Sequence, residues 1–245
     1  MNKPKKAINT AVILAAGMGS RLGDLNNNKP KGLLKIGTKP IIQESIEKLS
    51  KAGIKKIYVV IGYKYKIYVD FFKENFPNII LIRNADYKST NTLFSLSKIK
   101  NLIKEDFLLL ESDLVYESKA ILEIIKNKEE NLIILSGKTF NGDEVFVKSK
   151  NGNLINMSKD LSKLEGSYTG EFVGISKISL DFFKEIMNFF NKSSDRRKLS
   201  YEEDAFVECA KKIKIKCLHL KKLLWSEIDD EYHLNKARKI YKKLT

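Results

Sequence analysis

Cysteine, histidine and tryptophan are scarce in this chain: two Cys, two His and one Trp in 245 residues. Cys209 and Cys217 are too few for a disulfide scaffold and have no metal-ligand spacing, so they read as core thiols in a reducing compartment. His219 and His233 stand far from the glycine-turn motif and read as structural, which leaves little room for imidazole acid–base chemistry. Arginine is rare as well. Only positions 21, 83, 196, 197 and 238 carry it, so the net charge of +15 is almost all lysine. Nucleic-acid binders usually bring clustered arginine and interleaved aromatics. Here the lysines scatter along helices and turns beside plentiful asparagine, a composition of coding bias that also attracts anionic substrates. No nucleic-acid partner is expected. No apolar run approaches the ~20 residues that span a bilayer. Lys3 to Lys6 and the apolar residues after them imitate a secretory leader, but Asn9-Thr10 interrupts the run and cleavage would destroy the glycine loop behind it. A soluble, cytoplasmic protein with no membrane partner is expected.

What the chain does have is a regular alternation of strand-like and helix-like segments. Ala11–Ala16, Lys56–Ile61, Asn78–Arg83, Phe107–Glu111 and Leu132–Ser136 read as strands. Between them Pro40–Lys51, Tyr65–Glu74, Thr92–Ile103 and Ser118–Lys126 read as helices, the third capped by Asn91 or Thr90. Such alternation implies an α/β, Rossmann-like, mostly parallel sheet with helices on both faces. After Ser136 the pattern changes. Glu144–Lys148 and Leu154–Ser158 flank Lys150-Asn151-Gly152 as a hairpin, expected to form a small lid or acceptor-binding subregion over the sheet. Phe172–Ser176 and Lys214–Leu220 read as strands, and Leu180–Asn191, Tyr201–Lys212 and Glu231–Lys243 as helices. Positions 191–200 form a polar loop, and no linker or repeat divides residues 1–245, which read as one domain.

Residues 14–36, LAAGMGSRLGDLNNNKPKGLLKI, carry the chemistry. An apolar strand runs straight into a glycine turn holding Arg21, and ten residues later comes Lys31 in Lys29-Pro30-Lys31. Gly17 and Gly19 allow a sharp turn with bare N–H groups near a ligand. Arg21 and Lys31 add charge where negative charge gathers during nucleotidyl or phosphoryl transfer. A dinucleotide-binding G-x-G-x-x-G does not fit, because Leu22 stands where the third glycine belongs and Gly23 comes one place late. A P-loop does not fit either, since Gly137-Lys138-Thr139 has Leu132 in place of the first glycine.

The stretch 11–36 resembles the signature of the nucleotidyltransferase family that makes nucleoside-diphosphate sugars and CDP-alcohols, L-A-A-G-x-G-x-R-L…K-P-K-x-L-L-x-I. Further likeness, to the phosphocholine and 2-aminoethylphosphonate cytidylyltransferases, runs through Arg83-Asn84…Tyr87, Asn91…Ser95-Leu96, GEFVGIS at 170–176, YEEDA at 201–205 and WSEIDDEYHL at 225–234. The resemblance implies an enzyme that transfers CMP from CTP to a small phosphorylated or phosphonate acceptor and releases pyrophosphate. The alternative within the family is a sugar-1-phosphate nucleotidyltransferase using UTP or dTTP.

The likeness also implies roles. Leu14, Ala15, Ala16, Gly17, Met18, Gly19 and Ser20 would supply backbone and loop contacts to the nucleotide, together with Asn84, Asn91 and Ser112. Arg21 and Lys31 would hold the triphosphate as the catalytic cations. Phe146, Tyr168, Glu171, Tyr201 and the cluster from Glu202 to Asp204 would face the acceptor, carboxylates suiting an ammonium group and aromatics a quaternary one. The phosphocholine enzymes carry a tryptophan in the hairpin after a glutamate, whereas this chain reads Glu144-Val145-Phe146, a departure that weighs against choline itself. Joining two phosphates calls for a hard cation, Mg2+, and carboxylates at strand ends are its natural ligands: Asp113 and either Asp229 or its neighbour Asp230. An anionic acceptor needs no general base, because its oxygen is already largely deprotonated near neutral pH. Whether the chain works as a homodimer is open.

Overall fold

The first strand, β1 (Thr10–Ala15), is six consecutive buried residues, and its alternation sets the layers. Ala11, Ile13 and Ala15 pack into one apolar cluster, and Val12 and Leu14 into a second. A strand apolar on both faces belongs inside a covered sheet. It lies between β2 (Lys56–Ile61) and β4 (Phe107–Glu111), parallel to both, with β3 (Ile80–Arg83) parallel beyond β2. The computed structural model describes residues 7–26, 28–140, 142–165, 167–192 and 201–244, apart from the side chains of Asp24 and Asn26. Lys3 to Lys6 and positions 193–200 of the expected polar loop lie outside the described residues, while Asn191 and Lys192 end a helix.

The sheet is mixed, where a mostly parallel one was expected. β9 (Gly170–Ile178) runs antiparallel between β4 and β6 (Leu132–Ser136), and β10 (Lys216–Leu220) pairs parallel with β6. All nine residues of β9 are buried. Burial of that kind marks a central strand, but nothing in it encodes direction. β7 (Phe146–Lys150) and β8 (Asn153–Ser158) form the hairpin, with Asn151 at φ 53° and Gly152 at φ 71°, both left-handed as a two-residue type I′ turn requires. The hairpin is bonded into the sheet on both sides, to β10 and to the start of β9, giving the order β3-β2-β1-β4-β9-β6-β10-β8-β7. A separate antiparallel ribbon joins β5 (Leu114–Tyr116) to β11 (Trp225–Glu227). Three residues per strand give no alternation to read, and the sequence reading missed β5.

Helices cover both faces. α1 (Ile41–Lys51), α2 (Tyr65–Asn75) and α4 (Lys119–Lys126) bury Ile46, Phe72 and Ile124 on the Ile13 side. α3 (Thr92–Ser97), α5 (Leu180–Lys192) and α6 (Glu202–Ala210) bury Leu96, Phe182 and Phe206 on the Leu14 side. α7 (Glu231–Leu244) closes a third cluster with Leu22, Leu34 and Ile228. α3 is half its expected length. The Ser97 hydroxyl donates to the Phe94 carbonyl at 2.7 Å, and the following N–H groups drop to i−3 carbonyls, Lys98 to Ser95 and Ile99 to Leu96. Serine competing for backbone acceptors ends the α-helix there. Among the described residues no helix is long and apolar enough to cross a membrane.

Candidate active site

Beyond the carboxyl ends of β1 and β4 lies a cleft of about 220 Å³, where an open α/β sheet places its ligands. The chain leaves β1 through Ala16 and the glycine turn into a 3-10 segment, Ser20–Asn26. Gly19 sits at φ 60°, and a Cβ there would stand 3.4 Å from both Cβ and Cε of Lys31. The turn is pinned from β2: Tyr63 N donates to the Ala16 carbonyl at 3.0 Å, and Gly62 packs against Ala16 so closely that a Cβ would meet that oxygen at 2.7 Å. Leu22, buried to 1% exposure, anchors the far side. Pro30 sets an extended φ and ψ directly before the short 3-10 turn Lys31–Leu33, which aims Lys31 into the cleft.

Six side chains drawn from both ends and the middle of the chain meet there. Lys31 Nζ donates to Asp113 Oδ2 at 2.6 Å and to Asp229 Oδ1 at 2.5 Å. Arg21 reaches the other oxygen of Asp229 at 3.0 Å and Asp143 Oδ2 at 2.6 Å. Lys159 takes the second oxygen of Asp143 at 2.7 Å. Burial opposes the Lys31 charge, but Asp113 and Asp229 outweigh it and hold the ammonium above its ordinary pKa. Burial likewise opposes ionisation of Asp229, yet Lys31 wins and its carboxyl lies below the usual range. Glu227 is the opposite case: burial, then Asp229 and Asp113, push its carboxyl well above the ordinary value.

The donor set suits a hard divalent cation. Asp143, Glu227 and Asp229 offer carboxylate oxygens within 4.8 Å of one another, and Asp113 Oδ1 is buried with no hydrogen-bond partner. The ion expected between Asp113 and Asp229 has a rival for that position, since the Lys31 ammonium lies between them. Of the two adjacent aspartates, Asp229 faces the cleft, whereas Asp230 Oδ1 accepts from His233 N at 2.9 Å and so caps α7.

Leu14, Ala15, Gly17, Gly19, Arg21, Lys31, Ser112, Asp113, Tyr201 and Asp229 all stand on the cleft wall. Other expected residues do not. Ala16, Met18 and Ser20 belong to the turn without lining the cleft. Asn84 is fully buried and committed elsewhere: its amide donates to Thr90 and Ser95, and its oxygen accepts from Asp86 N. Asn91 precedes α3 without a side-chain capping bond and off the wall. Glu171 is an anchor, accepting from Thr139 N through both oxygens at 3.0 and 2.8 Å. Phe146 and Tyr168 pack on each other with centroids 4.8 Å apart, away from the wall. Glu202 is buried to 2% and Asp204 is turned outward to solvent, while Glu203 between them lines the cleft.

Sequence reasoning missed Glu111, Asp143, Lys159 and Glu227, all on or beside the wall. Glu227 was within reach of it, since Trp225, Glu227 and Asp229 follow one another at period two and all three line the cleft. Asp143 sits in a loop with no periodicity, and Lys159 is one of 45 lysines and arginines; neither carries a local signal.

The nucleotidyl transferase family pattern matches residues 10–143, from β1 to the aspartate that holds Arg21. The bifunctional IPC transferase and DIPP synthase of Aquifex aeolicus is 30% identical over 237 residues, covering 95% of this chain and 51% of that one, so the chain spans about half the length of that relative. The CTP:phosphoglutamine cytidylyltransferase of Campylobacter jejuni is 29% identical over 196 residues, covering 74% of this chain and 77% of its own. Among solved structures, the inositol-1-phosphate CTP transferase of T. maritima superimposes with a TM-score of 0.82 at 15% identity, covering 98% of this chain and 99% of that one, a likeness of fold. With more than half its length inside the family pattern, and with the strand, glycine turn and Lys-Pro-Lys segment that shape the cleft, this chain is a member of the nucleotidyl transferase family.

Proposed function

We propose that the 245 residues act as one nucleotidyltransferase domain that transfers CMP from CTP to a small phosphorylated or phosphonate acceptor. The observation that carries this reading is the convergence of Arg21, Lys31, Asp113 and Asp229 on one cleft at the end of β1. Ala15, Gly17 and Gly19 line the part of the cleft where a nucleotide lies against the turn, and Arg21 and Lys31 bind its phosphates. Asp113 and Asp229, with Asp143 and Glu227 beside them, would hold Mg2+, which supplies positive charge between the nucleotide and acceptor phosphates. An oxygen of the acceptor phosphate or phosphonate forms the new bond to the α-phosphorus as the bond to the β-phosphate oxygen breaks. Pyrophosphate leaves with that bond's electron pair. The acceptor oxygen starts deprotonated, so no base is required, and neither histidine lies among the described wall residues. Catalysis is then positioning and charge, as in phosphoryl transfer generally.

Glu111 and Glu203 also line the cleft, burial pushing both carboxyls well above their ordinary value, and Glu203 Oε2 is buried without a partner. That supports an acceptor whose non-phosphate end donates hydrogen bonds or carries an ammonium. Pyrophosphate release tests the reading, with CTP, UTP and dTTP each paired with 2-aminoethylphosphonate, phosphocholine, inositol 1-phosphate and glucose 1-phosphate. CTP with one of the first three is the expected pair. A preference for UTP or dTTP with glucose 1-phosphate replaces it with sugar-nucleotide synthesis, and no release from any pair removes it.

A further inference from the structure

Arg21, Lys31 and Lys159 are already paired with aspartates of the same cleft. Both oxygens of Asp229 are taken by cations, Oδ1 by Lys31 and Oδ2 by Arg21, and both oxygens of Asp143 by Arg21 and Lys159. Of Asp113, Oδ2 is held by Lys31, which leaves Oδ1 as its one unpartnered oxygen. A divalent cation entering between Asp113 and Asp229 would meet the Lys31 ammonium at contact distance. The side chains of Lys31, Asp113 and Asp229 are only 14%, 16% and 11% exposed, so water screens that repulsion poorly. A polyphosphate is the natural second partner for the same two basic groups, and it would need them released from the aspartates.

We infer that Lys31 and Arg21 serve as internal counter-ions that close the carboxylate set to a divalent cation until a polyphosphate draws them off. Cation and polyphosphate then bind as a coupled pair, each raising the affinity for the other by the same factor, as linkage requires. The inference rests on the proposed metal and phosphate assignments, and it adds that each ligand alone binds weakly because its site is filled by the other ligand's side chains. A consequence runs against intuition: removing a nucleotide-binding cation should make the protein alone a better metal binder.

Mn2+ alone is titrated, without nucleotide, against the wild-type chain, Lys31→Met and Arg21→Ala, with free ion read by electron paramagnetic resonance. Lys31→Met should bind Mn2+ on the order of tenfold tighter, within the usual span of site-to-site coupling. Arg21→Ala should shift the same way by a smaller factor; its side chain is 55% exposed, so the fold does not depend on it. In the reciprocal arm, tripolyphosphate is titrated in EDTA against Asp229→Asn, which should bind it more tightly than wild type. Should Lys31→Met not fold, as judged by circular dichroism, the other two variants decide. Affinities equal to or weaker than wild type in the folded variants overturn the inference. Failure of the proposed function looks different: the wild type releases no pyrophosphate, whatever the titrations give.

Discussion

Gly62→Ala probes how tightly the glycine turn after β1 is held. A Cβ at this position would lie 2.7 Å from the Ala16 carbonyl oxygen, 2.7 Å from Tyr87 Cβ and 2.9 Å from Ala16 Cβ. Ordinary contact begins at 3.4 Å, so the shortfall is about 0.7 Å. Two of the three obstacles belong to Ala16, whose carbonyl also accepts the Tyr63 N–H at 3.0 Å. Relief must therefore come from sliding the turn off the end of β2. Overpacking of this kind costs about 1–3 kcal/mol, and an ångström of misplacement near reacting groups costs about 10²-fold in rate. The expected outcome is a urea midpoint lowered at unchanged slope, together with weaker CTP binding and slower turnover. Stability and CTP affinity both equal to wild type would refute the pinned-turn reading, because a mobile turn would absorb the added methyl.

Other outcomes follow from single contacts. Asn84→Ala empties a fully buried site and removes the acceptor of Asp86 N and the amide bonds to Thr90 and Ser95, so stability should fall by about 1–3 kcal/mol while KM for CTP stays near wild type; a KM change without a stability change would restore Asn84 to the nucleotide site. Lys31→Ala should lower turnover by about 10²-fold or more, as loss of one transition-state donor does elsewhere, with the far-ultraviolet circular dichroism of the wild type. Burial holds the His219 imidazole below its ordinary 6.5. Above that pH neither folded nor unfolded chain carries the charge, and as pH falls the unfolded chain takes the proton first, so stability is lost through the window below 6.5. His219→Gln should flatten that part of the profile in denaturant melts, and an identical acid slope would rule His219 out as its source.

The first half of the fold was legible because its signals are local. β1, β2, β4 and β6 are apolar runs bounded by turns, and α1, α2 and α4 alternate with them at helical period. Direction was not legible: β9 looks like any buried strand, and only its long-range partners make it antiparallel. The cleft divides the same way. Arg21, Lys31, Asp113 and Asp229 were readable because the glycine turn and strand-end carboxylates fix their spacing. Asp143 and Lys159 reach the cleft by tertiary contact alone, and Asn84 and Glu171 had the right residue type but serve loops that only the folded chain brings together.

The direct test of the central claim follows the phosphorus. CTP labelled on either the α- or the γ-phosphate is incubated with the protein, Mg2+ and the best acceptor of the pyrophosphate screen. Label from the α-position should appear in the acceptor product and label from the γ-position in pyrophosphate, both lost in EDTA. Transfer of γ-label to the acceptor, or α-transfer unaffected by EDTA, would contradict a cleft in which carboxylate-bound Mg2+ and two chain cations drive nucleotidyl transfer.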